Sequence, residues 1–156
     1  MTMNINELVR GGTVCLSKAG LAIGSTATGI SIAAPNGAGV DFAINGVAYH
    51  KADAATAALT VHDAQSADTK CIYLVCLDSS GTVSSVQGTE VTSAALTAGT
   101  DVLEFPTPVA DTCPIGYFTM TTVAVTFTTG TDNLTASGCT AAYVDLLALP
   151  AAPLTS

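Results

Sequence analysis

Val40-Asp41-Phe42-Ala43-Ile44-Asn45-Gly46-Val47-Ala48-Tyr49-His50-Lys51 is two short alternating runs joined by Asn-Gly. Both residues of a two-residue hairpin turn need positive φ, which Asn and Gly tolerate best, so this is the strongest hairpin signal in the chain. A two-residue loop sets Ile44 opposite Val47 and Phe42 opposite Tyr49. All four then share one face, and the pattern checks itself. On the other face His50 lies across from Asp41, a stabilising cross-strand pair.

Further strands follow downstream. Lys70 to Leu77 is nearly all apolar, as expected of a strand covered on both faces. Asp78-Ser-Ser-Gly81 turns it, and Thr82 to Gln87 returns as the second arm of a hairpin. Leu59 to His62 and Asp101 to Phe105 read as short strands, Ala52 to Ala58 as a connection with a helical turn, and Ser93 to Leu96 as a turn of helix. Pro106 to Pro114 reads as a loop. Ile115 to Thr128 is the longest strand candidate; its apolar parity switches at Thr121-Thr122, which predicts a β-bulge or a change of covered face there. Cys139 to Leu147 is a last strand. Strand after strand with Gly, Asn, Asp and Pro turns predicts an all-β domain, an antiparallel β-sandwich-like body over residues 37–156 with a short Pro-containing C-terminal tail.

Upstream, residues 1–36 read differently. Asn4 to Arg10 forms about one helical turn with Ile5, Leu8 and Val9 on one side, ended by Gly11-Gly12. Thr13 to Asn36 is rich in Gly, Ala, Ser and Thr and ends at the turn Pro35-Asn36-Gly37. The expectation is an extended N-terminal arm, anchoring or intersubunit, with short strand pieces.

The 156 residues make one domain-sized chain, 49% hydrophobic, with Ala and Thr commonest, no Trp and only 5% aromatics. That is too apolar for a disordered chain. Twelve acids against four bases, a net charge of −8, exclude a nucleic-acid binder, which must offset phosphate charge. Large aromatics supply the largest single buried areas, so a core this poor in them favours subunit association. The opening residues carry no positive n-region, and no apolar run nears the ~18 residues of a membrane helix, so neither a signal peptide nor a membrane span is expected. Cys15, Cys71, Cys76, Cys113 and Cys139 are odd in number. Cys71 and Cys76 fall on opposite faces of their strand, so reduced, buried thiols of a protein assembled in cytoplasm are expected.

Catalytic patterns are missing. There is no Gly-x-Ser-x-Gly elbow and no phosphate loop with its Lys, and Gly37-Ala-Gly39 reads as a turn. A metal site would need His62, Asp63, Asp53 and a cysteine to converge, and their spacing does not require it. Scattered carboxylates leave glycoside hydrolysis formally open, but sugar clefts commonly carry Trp platforms and Trp is absent. No catalytic, cofactor-binding or metal-binding residues are expected, and no cofactor. Charge layout says more. Residues 1–20 hold Glu7, Arg10 and Lys18, whereas from residue 71 onward there are seven acids and no Lys or Arg. Either the arm docks on an acidic partner beneath a repulsive outer surface, or the acids simply maintain solubility.

Asn45-Gly46-Val47-Ala-Tyr49-His-Lys51-Ala52, then Gln65-x-Ala67-x-Thr69-x-Cys71-x-Tyr73-Leu74-Val75-x-Leu77-Asp78-x-x-Gly81, then Pro114-Ile-Gly116 and Phe127-Thr-Thr-Gly130-Thr131-Asp-Asn-Leu134-Thr-Ala136 complete the readable pattern. In these stretches the chain resembles tailed-bacteriophage virion proteins, of the kind that decorate (cement) heads or associate with fibres. The Tyr-Phe-Thr-Met after Pro114-Ile-Gly116 departs from the polar–Val alternation of that group. The resemblance implies a β-rich, non-enzymatic virion protein, assembled in the host cytoplasm, forming a homotrimer and binding the major capsid protein on the outer head surface. Ile5, Leu8, Val9, Arg10 and Lys18 are the expected partner-binding residues of the arm. The alternative expectation is a fibre or tail module that binds a host glycan or receptor through Tyr49, Tyr73, Tyr117 or Tyr143.

Overall fold

A computed structural model describes residues 12–147. Within them the chain is all-β, built of antiparallel sheets packed together. The central sheet has the order β11-β10-β7-β8, from Cys139–Asp145, Thr112–Thr122, Thr69–Asp78 and Val83–Gln87; β9 (Val91–Thr92) pairs with the start of β7. A second sheet joins β1 (Val14–Cys15), β4 (Val40–Ile44) and β5 (Val47–Lys51). The third joins β2 (Leu21–Ile23), β3 (Ile30–Ile32) and β6 (Ala54–Ala57).

The hairpin forms in the expected register, with Ile44 opposite Val47, Phe42 opposite Tyr49 and Asp41 opposite His50. Asn45 and Gly46 have φ of 51° and 82°. The Phe42 and Tyr49 rings stack at 5.7 Å, and Asp41 meets His50 Nδ1 at 2.8 Å.

Strand β7 is buried on both faces because apolar side chains occupy both parities. Cys71, Tyr73, Val75 and Leu77 enter the larger core, shared with Phe42, Ile30, Ile32, Phe118 and Met120. Ile72, Leu74 and Cys76 enter a smaller one with Val91, Leu103, Tyr117 and Leu146. The two cysteines of β7 therefore lie on opposite faces, as their odd spacing requires. All five cysteines are free thiols, and only Cys139 is not fully buried.

The small core is capped by α1 (Ser93–Ala98), through Ala95 and Leu96. Thr92 caps the helix start by accepting the Ala95 N–H, and Gly99, at φ 66°, ends it in the left-handed region.

Several local expectations are corrected. The bulge on β10 lies between Pro114 and Gly116, not at Thr121-Thr122. The extra residue, Ile115, shifts parity so that Cys113 and Ile115 itself, of one parity, and Phe118 and Met120, of the other, all reach the larger core. The strand begins at Thr112 and stops at Thr122, and Ala124 at φ 54° turns the chain away. Residues 54–57 form β6 against β3 rather than a helical turn. Residues 59–62 and 101–105 form no strand, although Leu59 and Leu103 are core residues.

The expected N-terminal arm is described from residue 12 onward, and it holds the short strand pieces expected of it, β1, β2 and β3. The part of this segment that is described does not lie apart as an arm. Its short strands pair with β4 and β6, and Cys15, Ala19, Ile30, Ile32 and Ala34 are buried. Glycine permits this close approach. Gly20 sits at φ 62°, where a β-carbon would collide with the Ala33 carbonyl. A run of small residues with one Ile or Leu every few positions is thus a packing surface, not a solvated tether.

Candidate functional site

Ile5, Leu8, Val9 and Arg10 lie outside the described residues. Lys18 is exposed, in the loop between β1 and β2. The two ends of the described chain lie against the sheet that precedes that loop, Leu147 beside Cys15 and Gly12 at the hairpin tip. Cys15 N–H donates to the Leu147 carbonyl at 3.1 Å, and Gly46 N–H donates to the Gly12 carbonyl at 2.7 Å. Residues 12 and 147 are thereby tied to one sheet, β1-β4-β5. Three of the most exposed large apolar side chains are found at these junctions. They are Leu16 (57%), which follows Cys15, Val47 (54%), which follows Gly46, and Leu147 (52%) itself. Leu16 and Leu147 meet at the Cys15–Leu147 bond and form a small apolar patch with a cation, Lys18, in its loop, whereas Val47 shares the opposite, Phe42 face of the sheet.

The acidic excess has a structural use that charge counting missed. Asp53 accepts the Ala34 N–H, Asp68 that of Ala124, Glu90 that of Ser66, Asp132 that of Thr128 and Asp145 that of Leu21, all at 2.7–3.0 Å. Asp78 accepts the N–H groups of Ser80 and Thr82 in its own turn. Hydrogen bonds from Ser80 and from the loop backbone hold its carboxyl below the usual carboxylate range. Asp111 accepts from the Asn45 side chain at the hairpin tip. A loop-rich chain with short strands leaves many amides without ladder partners, and carboxylates are strong acceptors for them. Neither solubility nor repulsion alone accounts for the acids.

The four tyrosines are engaged in packing. Tyr73 stacks on Phe118 at 5.0 Å, Tyr117 meets Phe105 edge-on at 5.0 Å, Tyr143 lies against Phe118, and Tyr49 stacks on Phe42. Tyr73 and Tyr117 are buried. Burial pushes the phenols of Tyr73, Tyr117 and Tyr143 above their ordinary pKa.

His62 Nε2 lies 2.9 Å from the Ser85 carbonyl and 3.2 Å from its hydroxyl. That hydroxyl already accepts the Thr60 N–H, and Thr60 returns the bond through its own hydroxyl to the Ser85 N–H. The pair fastens residues 59–62 along β8 and buries the Ser85 hydroxyl among these bonds. Among the described residues no three His, Cys, Asp or Glu side chains converge as metal ligands. Burial pushes the thiols of Cys71 and Cys113 up to about 12 and that of Cys76 to about 11, where they are protonated and inert.

One buried polar cluster went unread in the sequence. Gln65 is fully buried, and its amide nitrogen lies within 3.1–3.2 Å of Thr69 and of the Met120 carbonyl. Its amide oxygen accepts the Tyr73 hydroxyl at 3.2 Å, while its backbone pairs with Phe127. It ties the 59–68 connection to β7, β10 and residue 127. A lone Gln between small polar residues gives no sequence signal of this.

No family model, curated protein or solved structure matches the chain.

Proposed function

We propose that this chain is a non-enzymatic structural protein of a phage virion, a decoration or cement protein that binds the outer surface of the head and stabilises the shell. The observation that carries the reading is the patch at the Cys15–Leu147 bond. Exposed Leu16 and Leu147 lie beside the Cys15–Leu147 bond, with exposed Lys18 in the loop that follows. A body of packed sheets with an exposed apolar pair, Leu16 and Leu147, and a cation, Lys18, close by suits attachment to a larger assembly. Ile5, Leu8, Val9 and Arg10 precede that patch in sequence and would extend the contact to the major capsid protein, with three copies as the proposed unit. A protein that binds only the assembled shell stabilises it by mass action.

The packing of the tyrosine rings within the body leaves the host-glycan reading without a specific observation in its favour. The virion reading is tested by decorating purified heads that lack this chain. Removal of residues 1–11 is the informative truncation, because cutting to residue 20 would also delete the buried Cys15 and Ala19. Full-length protein should saturate the heads and raise the temperature at which they release DNA. The truncated chain and a Lys18→Glu, Leu16→Ser variant should fold but bind heads at least ~10-fold more weakly, the equivalent of about 1.4 kcal/mol. Undiminished occupancy by both variants would refute this docking surface, and no binding by the full-length chain would refute the role.

A further inference from the structure

Most sheet edges of the described residues are closed or, like three-residue β2, very short, and one long edge is open. The outer edge of β8 is covered by residues 59–62 through the reciprocal Thr60–Ser85 bonds. β6 receives the Ser25 N–H on the Ala55 carbonyl, and β1 donates from Cys15 to Leu147. β5 carries His50 and Lys51 on its edge, and charges of this kind discourage pairing. β11 is seven residues long, has no Pro, Lys or bulge, and among the described residues is unpaired along its outer side.

The ladder with β10 identifies the free backbone groups. Val123 N–H donates to Gly138 at one end and Leu146 N–H to Ile115 at the other, at 2.8 and 3.0 Å. Antiparallel bonding alternates residue by residue. Thr140, Ala142 and Val144 therefore bond inward to β10, while Ala141 and Tyr143 direct both N–H and C=O outward. Cys139 shares the outward parity, but its N–H is taken by the Ala136 carbonyl, and at the other end the Asp145 carboxylate accepts the Leu21 N–H, which brings β2 against that end of the edge.

We infer that this edge is an interaction surface for a second copy of the chain, with β11 antiparallel to β11 about a two-fold axis at Ala142. In that register Ala141 of each copy faces Tyr143 of the other, so all the free groups of both residues pair with each other. Two-fold registers centred on Ala141 or Tyr143 instead require Cys139 or Asp145 in the ladder. Charge favours the same arrangement. Thr140 to Val144 is uncharged in a chain of net charge −8. The axis at Ala142 puts the two Asp145 side chains at opposite ends of the ladder, roughly 20 Å apart at the rise of an antiparallel strand. The exposed Val144 gains Thr140 as its cross-strand neighbour, and small Ala141 leaves room for the Tyr143 ring. The contact stands apart from shell binding and uses none of the patch residues.

The test is native mass by light scattering with residue-resolved amide hydrogen exchange, on the whole chain and two variants. Ala142→Lys places like charges on the axis from an exposed side chain. Ala141→Pro removes an outward N–H and no bond to β10, so the internal ladder is kept. The whole chain should have the mass of two copies, or six where copies also trimerise, with Ala141 and Tyr143 amides protected on the order of 100-fold over open-edge amides. Ala142→Lys should halve the mass and release that protection while β7 amides stay protected; Ala141→Pro should do the same if it folds. A monomer or trimer with freely exchanging Ala141 and Tyr143 amides overturns the inference. So does an even mass that Ala142→Lys leaves intact.

Discussion

The hairpin at residues 40–51 and the segment at residues 12–36 feed the same core by opposite routes. In the hairpin every partner is near in sequence, and Asn45-Gly46 dictates who faces whom. In the earlier segment strands of two or three residues find partners far away: Cys15 sits opposite Phe42 and Ile30 opposite Ala57. Both place fully buried residues in one cluster, Phe42 from the hairpin and Ile30 and Ile32 from the segment. Low hydrophobic density along the chain is therefore no measure of burial, because a strand of three residues needs only one or two apolar side chains to fill its share of a core.

The sharpest way to break this comparison is a paired truncation. Phe42→Ala should cost about 4 kcal/mol and Ile30→Ala about 3 kcal/mol, measured by urea unfolding. A cost below ~0.5 kcal/mol for Ile30→Ala would make the segment an arm after all. Gly20→Ala comes next, at about 2 kcal/mol, because a β-carbon there meets backbone as well as an unfavourable φ. Gly46→Ala should cost about 1 kcal/mol, since its φ of 82° is equally unfavourable but the space around it is open. The difference between these two glycines measures how tightly the segment is packed relative to the hairpin tip.

Thiol labelling sharpens the same contrast. In the native protein half-buried Cys139 should react first, and Cys15 should be as slow as Cys71, each at least ~10-fold slower than Cys139. Fast labelling of Cys15 would mean that β1 peels away. The thiols also set an alkaline limb. Burial raises Cys71 and Cys113 to about 12 and Cys76 to about 11, against 9.0 for an unburied thiol. Above pH 9 the unfolded chain loses these protons while the folded one keeps them, so stability should be intact below pH 9 and fall as the pH rises toward 12. Cys76→Ala should flatten part of that fall in pH-dependent denaturation. The smallest effect belongs to the surface pair. Asp41→Ala should cost no more than ~0.5 kcal/mol, because His50 and Asp41 are both half-exposed.

The candidate docking surface was only partly legible. Lys18 can be read as exposed from its neighbours, but nothing in the order of residues says that Leu147 lies beside Cys15. That juxtaposition comes from a bond between Cys15 and Leu147, more than a hundred positions apart. The tyrosines are a similar case. Their placement in strands was readable, yet only the packed rings of Phe118, Phe105 and Phe42 show what covers them.

By itself the sequence determined the all-β class, the 40–51 hairpin with its register, the two-faced burial of β7 and its return through Asp78–Gly81. These depend on turn chemistry and period-two alternation, which act over a few residues. Tertiary structure decided the rest: the membership of residues 12–36 in the core, the bulge at Ile115, the strand at 54–57, the use of carboxylates to hold loop amides, and the open edge of β11. Each depends on which distant backbone comes alongside. A small polar residue or a short apolar run has no preference strong enough to choose its partner before the core assembles.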